Sequence, residues 1–458
     1  MNRLAFVLLI VAPTCLAPGR ECRAAAAKPN ILFVVADDLG WKDVGWHGSR
    51  HKTPHLDRLV RQGLELNYHY VQPVCTPTRT ALMSGRVPSR FGPQAQVPSN
   101  LRAMPLGTPT LASALRESGY FTAMSGKWHL GARPEWGPNQ YGFMRSYGTL
   151  TGAADPWTHG YRRGPYEQTW HRDGHRLDED GNATELVARQ AVAWIREQRE
   201  PWFVYVPFHA VHIPVDAPDE FKRLYDGEKF HDDAAKDDAA RRFAAFVSQL
   251  DAKVGQLIAT LDETGQRDNT LVIFTSDNGG LLRGGNAYVS SVKPTPVLSS
   301  NEPLRGQKAE LYEGGIRVPA LVNWPGKLAP RKINAPMHVC DWFPTLAALL
   351  DWKPASDLKW DGQNMWPVLT GAAEPTPRTI YIPYRNQSVF RDGDWKLIER
   401  RTKNGVKHEL FDLTADPYEK SNLAASQTDR VAGMAARLTE TRKYDREQLP
   451  EDLRELPE

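Results

Sequence analysis

A chain of 458 residues, 41% hydrophobic and 24% charged, can bury a sizeable core and suggests two or three domains or one large α/β domain with an appendage. Its formal charge of +3 lacks the basic excess of a nucleic-acid binder, and no nucleic-acid partner is expected. Only four cysteines are present, and Cys15 and Cys22 fall in a leader, so the fold does not depend on a disulfide framework.

That leader is Arg3 followed by an apolar run from Leu4 to Ala12 and the small residues Ala24 to Ala27, which reads as a secretory signal over residues 1–26. The run falls short of the ~20 apolar residues needed to span a bilayer, and no later stretch is longer. A mature chain without a transmembrane segment, secreted or periplasmic, is expected. Loss of Arg3, Arg20, Arg23 and Glu21 removes +2 and leaves it near neutral, with Cys75 and Cys340.

The run Asn30 to Ala36 is continuously apolar, the pattern of a strand buried on both faces of a parallel sheet. It ends in Asp37-Asp38, at the carboxyl end where open α/β sheets place ligands. Adjacent carboxylates repel, and a bound cation would relieve them; capping of the next segment is the alternative reading. A helix opens at Thr53-Pro54 and stops near Gly63, and His51, His55 and His69 are read as surface or packing residues.

In Cys75-Thr76-Pro77-Thr78-Arg79, Thr76 suits a cap and Pro77 the first helical position, while Ala81-Leu82-Met83 favours helix. Cys75 then sits at a helix start, whose free N–H groups and partial positive charge favour a deprotonated nucleophile or an anion. Arg79, about one turn on, points to the same place.

A helix from Thr110 is ended by Gly119, and a short strand over Tyr120 to Met124 leads into Ser125-Gly126-Lys127-Trp128-His129. Lys127 and His129 lie on one side of an extended segment and face one substrate group, unless the segment is a surface loop. From Tyr141 to Arg176 no period is visible; Trp157, His159, Trp170 and His171 either line a sugar site or pack a long loop. Val187, Ala191, Trp194 and Ile195 mark a helix face. A second buried run, Pro201 to Val206, precedes His209 and His212, one chemical and one supporting.

Ala217 to Asp238 reads as charged and solvated. Phe243 to Leu261 follows the helical period and stops at Gly265. The strand Thr270 to Thr275 ends in Ser276-Asp277-Asn278. An irregular loop over Gly284 to Asn301 precedes Lys308, a strand at Ala320 to Trp324 and a helix over Phe343 to Leu350. Beyond Gly371, short strands at Thr379, Ser388, Trp395 and Glu409 and a helix near Val431 to Tyr444 indicate a small α+β domain. The boundaries are 1–26 for the signal, 27–371 for the catalytic domain and 372–458 for the C-terminal domain. Asn182-Ala183-Thr184 and Asn386-Gln387-Ser388 match the glycosylation sequon.

Four strands thus end in Asp37-Asp38, Lys127/His129, His209/His212 and Asp277-Asn278, which suggests one site. Asp37, Asp38, Asp277 and Asn278 are hard oxygen ligands that favour calcium, with magnesium or manganese next. Arg79, Lys127 and Lys308 add positive charge for a sulfate or phosphate ester.

The same residues resemble the type I sulfatases. The stretch around Cys75 is similar to the family's C-x-P-S-R signature, in which a formylglycine-generating enzyme oxidises the cysteine; Thr78 stands where the family usually has Ser. Asp37-Asp38, Gly126-Lys127-Trp128-His129-Leu130-Gly131, His212, Ser276-Asp277-Asn278-Gly279 and Lys308 complete the match. The resemblance implies an alkaline-phosphatase-like α/β/α sandwich with a central, mostly parallel sheet plus a smaller C-terminal α+β domain. It also implies sulfate-ester hydrolysis with catalytic Cys75, Arg79, Lys127, His129, His212 and Lys308. One calcium ion would be held by Asp37, Asp38, the residue derived from Cys75, Asp277 and Asn278, with substrate bound by Lys127, His212 and Lys308. Pro303 to Lys308 with Tyr312 to Gly315, and Ser146-Tyr147-Gly148 through Thr158-His159-Gly160, look most like the arylsulfatase B group, the N-acetylgalactosamine-4-sulfatases. The expected substrate is a sulfated carbohydrate or an aryl sulfate. A phosphodiester or phosphonate monoester hydrolase of the same superfamily, and a carbohydrate-binding protein with Cys75 unconverted, are the alternatives.

Overall fold

The computed structural model describes residues 28–162, 164–282 and 298–454. The signal segment with Cys15 and Cys22, and most of the 284–301 loop, lie outside them.

Every side chain of the strand Asn30–Ala36 is buried. Strand alternation sends Ile31, Phe33 and Val35 into one apolar layer and Leu32, Val34 and Ala36 into the opposite one. The first layer is covered by helices Cys75–Ser84, Leu111–Glu117 and Trp342–Leu349. The second is covered by Pro54–Arg61, Ala183–Glu197 and Ala234–Glu263. The result is the expected α/β/α sandwich.

Among the described residues the central sheet has ten strands. Its middle runs Thr270–Ser276, Asn30–Ala36, Trp202–Pro207, Phe121–Lys127 and Arg145–Thr149 in spatial order, all parallel. Antiparallel strands Trp170–Arg172 and His175–Arg176 close one side. Ala320–Asn323, Leu64–Leu66 and Arg331–Ile333 close the other. Ala36 pairs with Ser276 and Val35 with Pro207, so the residues just past the three strand ends come out level at one edge. Backbone bonds hold the exits together: Asp277 N–H donates to Ala36 O at 3.0 Å, and Asp37 N–H to Ala210 O at 2.9 Å.

Two expectations are refined. The aperiodic stretch 141–176 contains three short strands that owe their extension to neighbours in the sheet. The charged segment 217–238 is only partly solvated, because Phe221 and Tyr225 are buried against the long helix Ala234–Glu263. Of the two sequons, Asn182 is buried and spends its side-chain oxygen capping Ala183–Glu197, whereas Asn386 is exposed in a hairpin turn.

A separate antiparallel sheet follows, with strands Thr379–Tyr384, Gln387–Asp392, Trp395–Thr402 and Gly405–Asp412 in sequence order, and the helix Thr428–Arg442 touches its second and third strands. It is welded to the sandwich: Ile380, Ile382 and Ile398 pack with Tyr70, Val74 and Ile316. Among the described residues no helix is long and apolar enough to cross a membrane.

Candidate active site

The helix begins at Cys75, with Val74 as N-cap and no side-chain cap, and all ten residues are buried. Thr76 is therefore in the first turn and does not cap it. Thr78 Oγ1 accepts from Gln72 N–H at 2.9 Å and donates to Gln72 O at 3.3 Å, folding the incoming loop onto the helix. The helix start does not yield a thiolate: burial pushes the Cys75 thiol up, and the opposing charges of Lys127 and Lys308 do not reverse it.

Around Cys75 the four strand ends deliver a buried lattice of opposite charges. Lys127 Nζ lies 2.5 Å from Asp37 Oδ2. Lys308 Nζ lies 2.7 Å from Asp38 Oδ1 and donates to Oδ2 at 2.8 Å. Arg79 donates from Nη2 and Nε to Asp277 Oδ2 at 2.8 and 3.2 Å, and from Nη1 to Lys127 O at 2.6 Å. Asn278 Nδ2 donates to Asp38 Oδ1 at 2.7 Å. Burial alone would raise Asp38, but Lys308 and His212 hold its carboxyl below the usual range. Asp277 is raised by burial and by Asp37, with Arg79 opposing. Burial would lower Lys308, yet Asp38 and the surrounding negative groups keep it protonated well above its ordinary value.

The histidines sort by geometry. His212 lies 3.8 Å from Asp38 Oδ2 through Nε2, and its Nδ1 is bonded to Ile213 O at 2.6 Å. Burial and Lys308 push it down to about 3. His209 instead pairs with Thr149 Oγ1 at 2.7 Å and does not line the cleft shared by Cys75 and His212. His129 adopts φ 58° and Asp38 φ 62°, left-handed conformations that L-residues with side chains avoid. Burial, then Lys127 and Arg79, keep the His129 imidazole neutral.

Asp37 Oδ1 and Asn278 Oδ1 are buried with no hydrogen-bond partner among the described residues. Asp37, Asp38 and His212 place ligand atoms within 4.8 Å of one another. Two orphaned hard oxygens beside two further carboxylates fit a cation of calcium type.

Cys75, His129, His212 and Lys308 open into one cleft of about 400 Å³. Asn100, Tyr161, Arg162 and Tyr166 also line it and were not singled out from sequence. For Tyr161, Arg162 and Tyr166 the one signal is the Gly- and aromatic-rich composition of the 141–176 stretch, which has no period to sort them; Asn100 carried none. Trp157, His159, Trp170 and His171 do not line this cleft: His159 stacks on buried Trp170 with ring centres 4.3 Å apart, and His171 is buried.

Cations and imidazoles gathered at the carboxyl edge of a parallel sheet, around a cleft, define an enzyme that acts on an anionic ester. The sulfatase family model matches residues 29–352, and the chain belongs to that family; it is a sulfuric ester hydrolase. Arylsulfatase J of Mus musculus is 31% identical, covering 92% of this chain and 77% of that one. N-acetylgalactosamine-6-sulfatase of Homo sapiens is 31% identical, covering 77% and 67%. Among solved structures, Ps i-CgsB in complex with k-i-k-neocarrahexaose superposes with a TM-score of 0.81 at 30% identity, covering 92% and 94%.

Proposed function

We propose that this is an extracytoplasmic sulfatase that removes sulfate from a sulfated sugar resembling N-acetylgalactosamine 4-sulfate, using formylglycine made from Cys75 and one calcium ion. The carrying observation is that Cys75 opens into the cleft with its thiol pushed up, among oxygen ligands and cations that suit an oxygen nucleophile better than sulfur. A sugar substrate is supported by the relatives, one named for N-acetylgalactosamine 6-sulfate and one holding a neocarrahexaose. Export is supported by the leader pattern before Ala27.

Asp37, Asp38, Asp277 and Asn278, with residue 75, would hold the ion, which when bound supplies charge that favours an ionised oxygen at position 75. Hydrated formylglycine would supply that oxygen for attack on sulfur. Arg79, Lys127 and Lys308 balance the negative charge that develops on the sulfuryl oxygens. Lys308, kept protonated, gives a proton to the departing alcohol, neutral His212 faces Asp38 beside it, and neutral His129 takes a proton from residue 75 as sulfate leaves.

Peptide mass spectrometry of residue 75, paired with turnover of sulfate, phosphate and phosphonate esters, tests the reading. Expected are formylglycine at position 75, preferred turnover of sulfate esters, and loss of activity in Cys75→Ala with little change in stability. Negligible sulfate-ester turnover by enzyme with verified formylglycine overturns it.

A further inference from the structure

A second cavity of about 530 Å³ lies beside the cleft, between the sandwich and the C-terminal sheet. One segment walls both spaces: Gln96 and Val97 face the second cavity, and Pro98, Ser99 and Asn100 face the cleft. Ser99 N–H donates to Thr76 Oγ1 at 3.4 Å, which ties that shared wall to the first turn after Cys75. The far wall carries the hairpin tip at Arg385 and Asn386 and the chain leaving the last long helix at Arg442 and Arg446. Tyr384, next to Arg385, is raised by burial, with the Arg385 guanidinium over its ring opposing.

The lining is biased to arginine, and one of its two carboxylates is already committed. Asp445 accepts from Arg90 at 2.5 Å and Tyr381 Oη at 2.6 Å. Arg401 and Arg442 both spend charge on Glu399, at 3.3 and 2.9 Å. Arg385 and Arg446 are exposed and, among the described residues, in no ion pair; Glu447 is the remaining carboxylate of the wall. Arg385 also sits at φ 54°, a turn conformation in which glycine would be free of strain. A planar guanidinium is suited to paired oxygens of sulfate or carboxylate.

We propose that this arginine-lined groove holds anionic units of a sulfated oligosaccharide beyond the one whose sulfate is cleaved, so that the enzyme prefers oligomers to monosaccharides. This deepens the sugar-sulfatase reading and rests on it. Remote binding energy of this kind raises kcat/KM for longer substrates, and at exposed arginines it is screened by salt.

The test compares the wild type with the double variant Arg385→Gly/Arg446→Gln on N-acetylgalactosamine 4-sulfate and on a hexasaccharide in which that sugar alternates with uronic acid. Wild type is expected to favour the hexasaccharide by about tenfold or more in kcat/KM, and the double variant to lose that gain with monosaccharide turnover unchanged. Because Arg385→Gly relieves a strained turn, the variant's melting temperature should not fall. In parallel, calorimetry on Cys75→Ala protein should show hexasaccharide binding that the two arginine substitutions weaken at low salt and leave alike at high salt. Arginine-dependent binding without any desulfation keeps the groove and overturns the sugar reading. Desulfation with no length gain, or hexasaccharide binding that is absent or indifferent to both arginines, overturns the groove.

Discussion

Two lysines from different parts of the chain each neutralise one of two adjacent aspartates: Lys127 takes Asp37 and Lys308 takes Asp38. The aspartate pair was legible because adjacent carboxylates after an apolar run need an explanation; the pairing was not, since 90 and 270 residues separate the partners. A contact at His129 is similarly hidden in sequence. A Cβ on Gly152 would sit 2.3 Å from His129 Cε1, so that glycine leaves room for the imidazole. Gly152→Ala is expected to tilt His129 and lower kcat by about 100-fold, with no comparable loss in melting temperature. Near-wild-type turnover of that variant would show that His129 needs no fixed orientation.

At the scale of elements, four strand ends converge on the buried charge cluster, and apolar runs made those strands readable from sequence. The short strands between Arg145 and Arg176 were not readable, because short Gly- and aromatic-rich segments extend only when a neighbour offers its backbone. Nor could the sequence reveal how the second sheet is joined to the first. Lys396, fully buried on the third strand of that sheet, lies 2.9 Å from Glu313 and 2.7 Å from Glu419, also buried. Glu313 heads the short helix that follows Lys308. Lys396→Met strands two buried carboxylates together and is expected to cost about 3–5 kcal/mol in urea unfolding. A cost near zero would mean that the junction rests on its apolar contacts alone.

For the whole molecule, buried neutral histidines set the acid limit. His69 Nε2 accepts from Trp342 Nε1–H at 3.0 Å, which fixes its tautomer, and burial pushes its pKa down to about 3. That value lies below the unfolded one of about 6.5, so its contribution is intact above pH ~6.5 and is lost as pH falls towards 3. Each pH unit in that window costs about 1.4 kcal/mol. His69→Gln is expected to flatten the decline in unfolding free energy between pH 6 and 4 by about that slope; an unchanged slope would show that His69 titrates normally. Calcium is expected to raise the melting temperature of chelator-treated protein, by about 2.7 kcal/mol of stability at 100 times its Kd. Identical melting with and without calcium would remove Asp37 and Asn278 from the role proposed for them. By itself the sequence determined the strand runs, their polar ends and the cysteine at a helix start, because these follow from local periodicity and residue chemistry. Only the tertiary structure decided which histidine faces the carboxylates, which aromatic residues merely pack, and where arginines gather beside the cleft, because those outcomes depend on sheet order and on contacts between residues far apart in the chain.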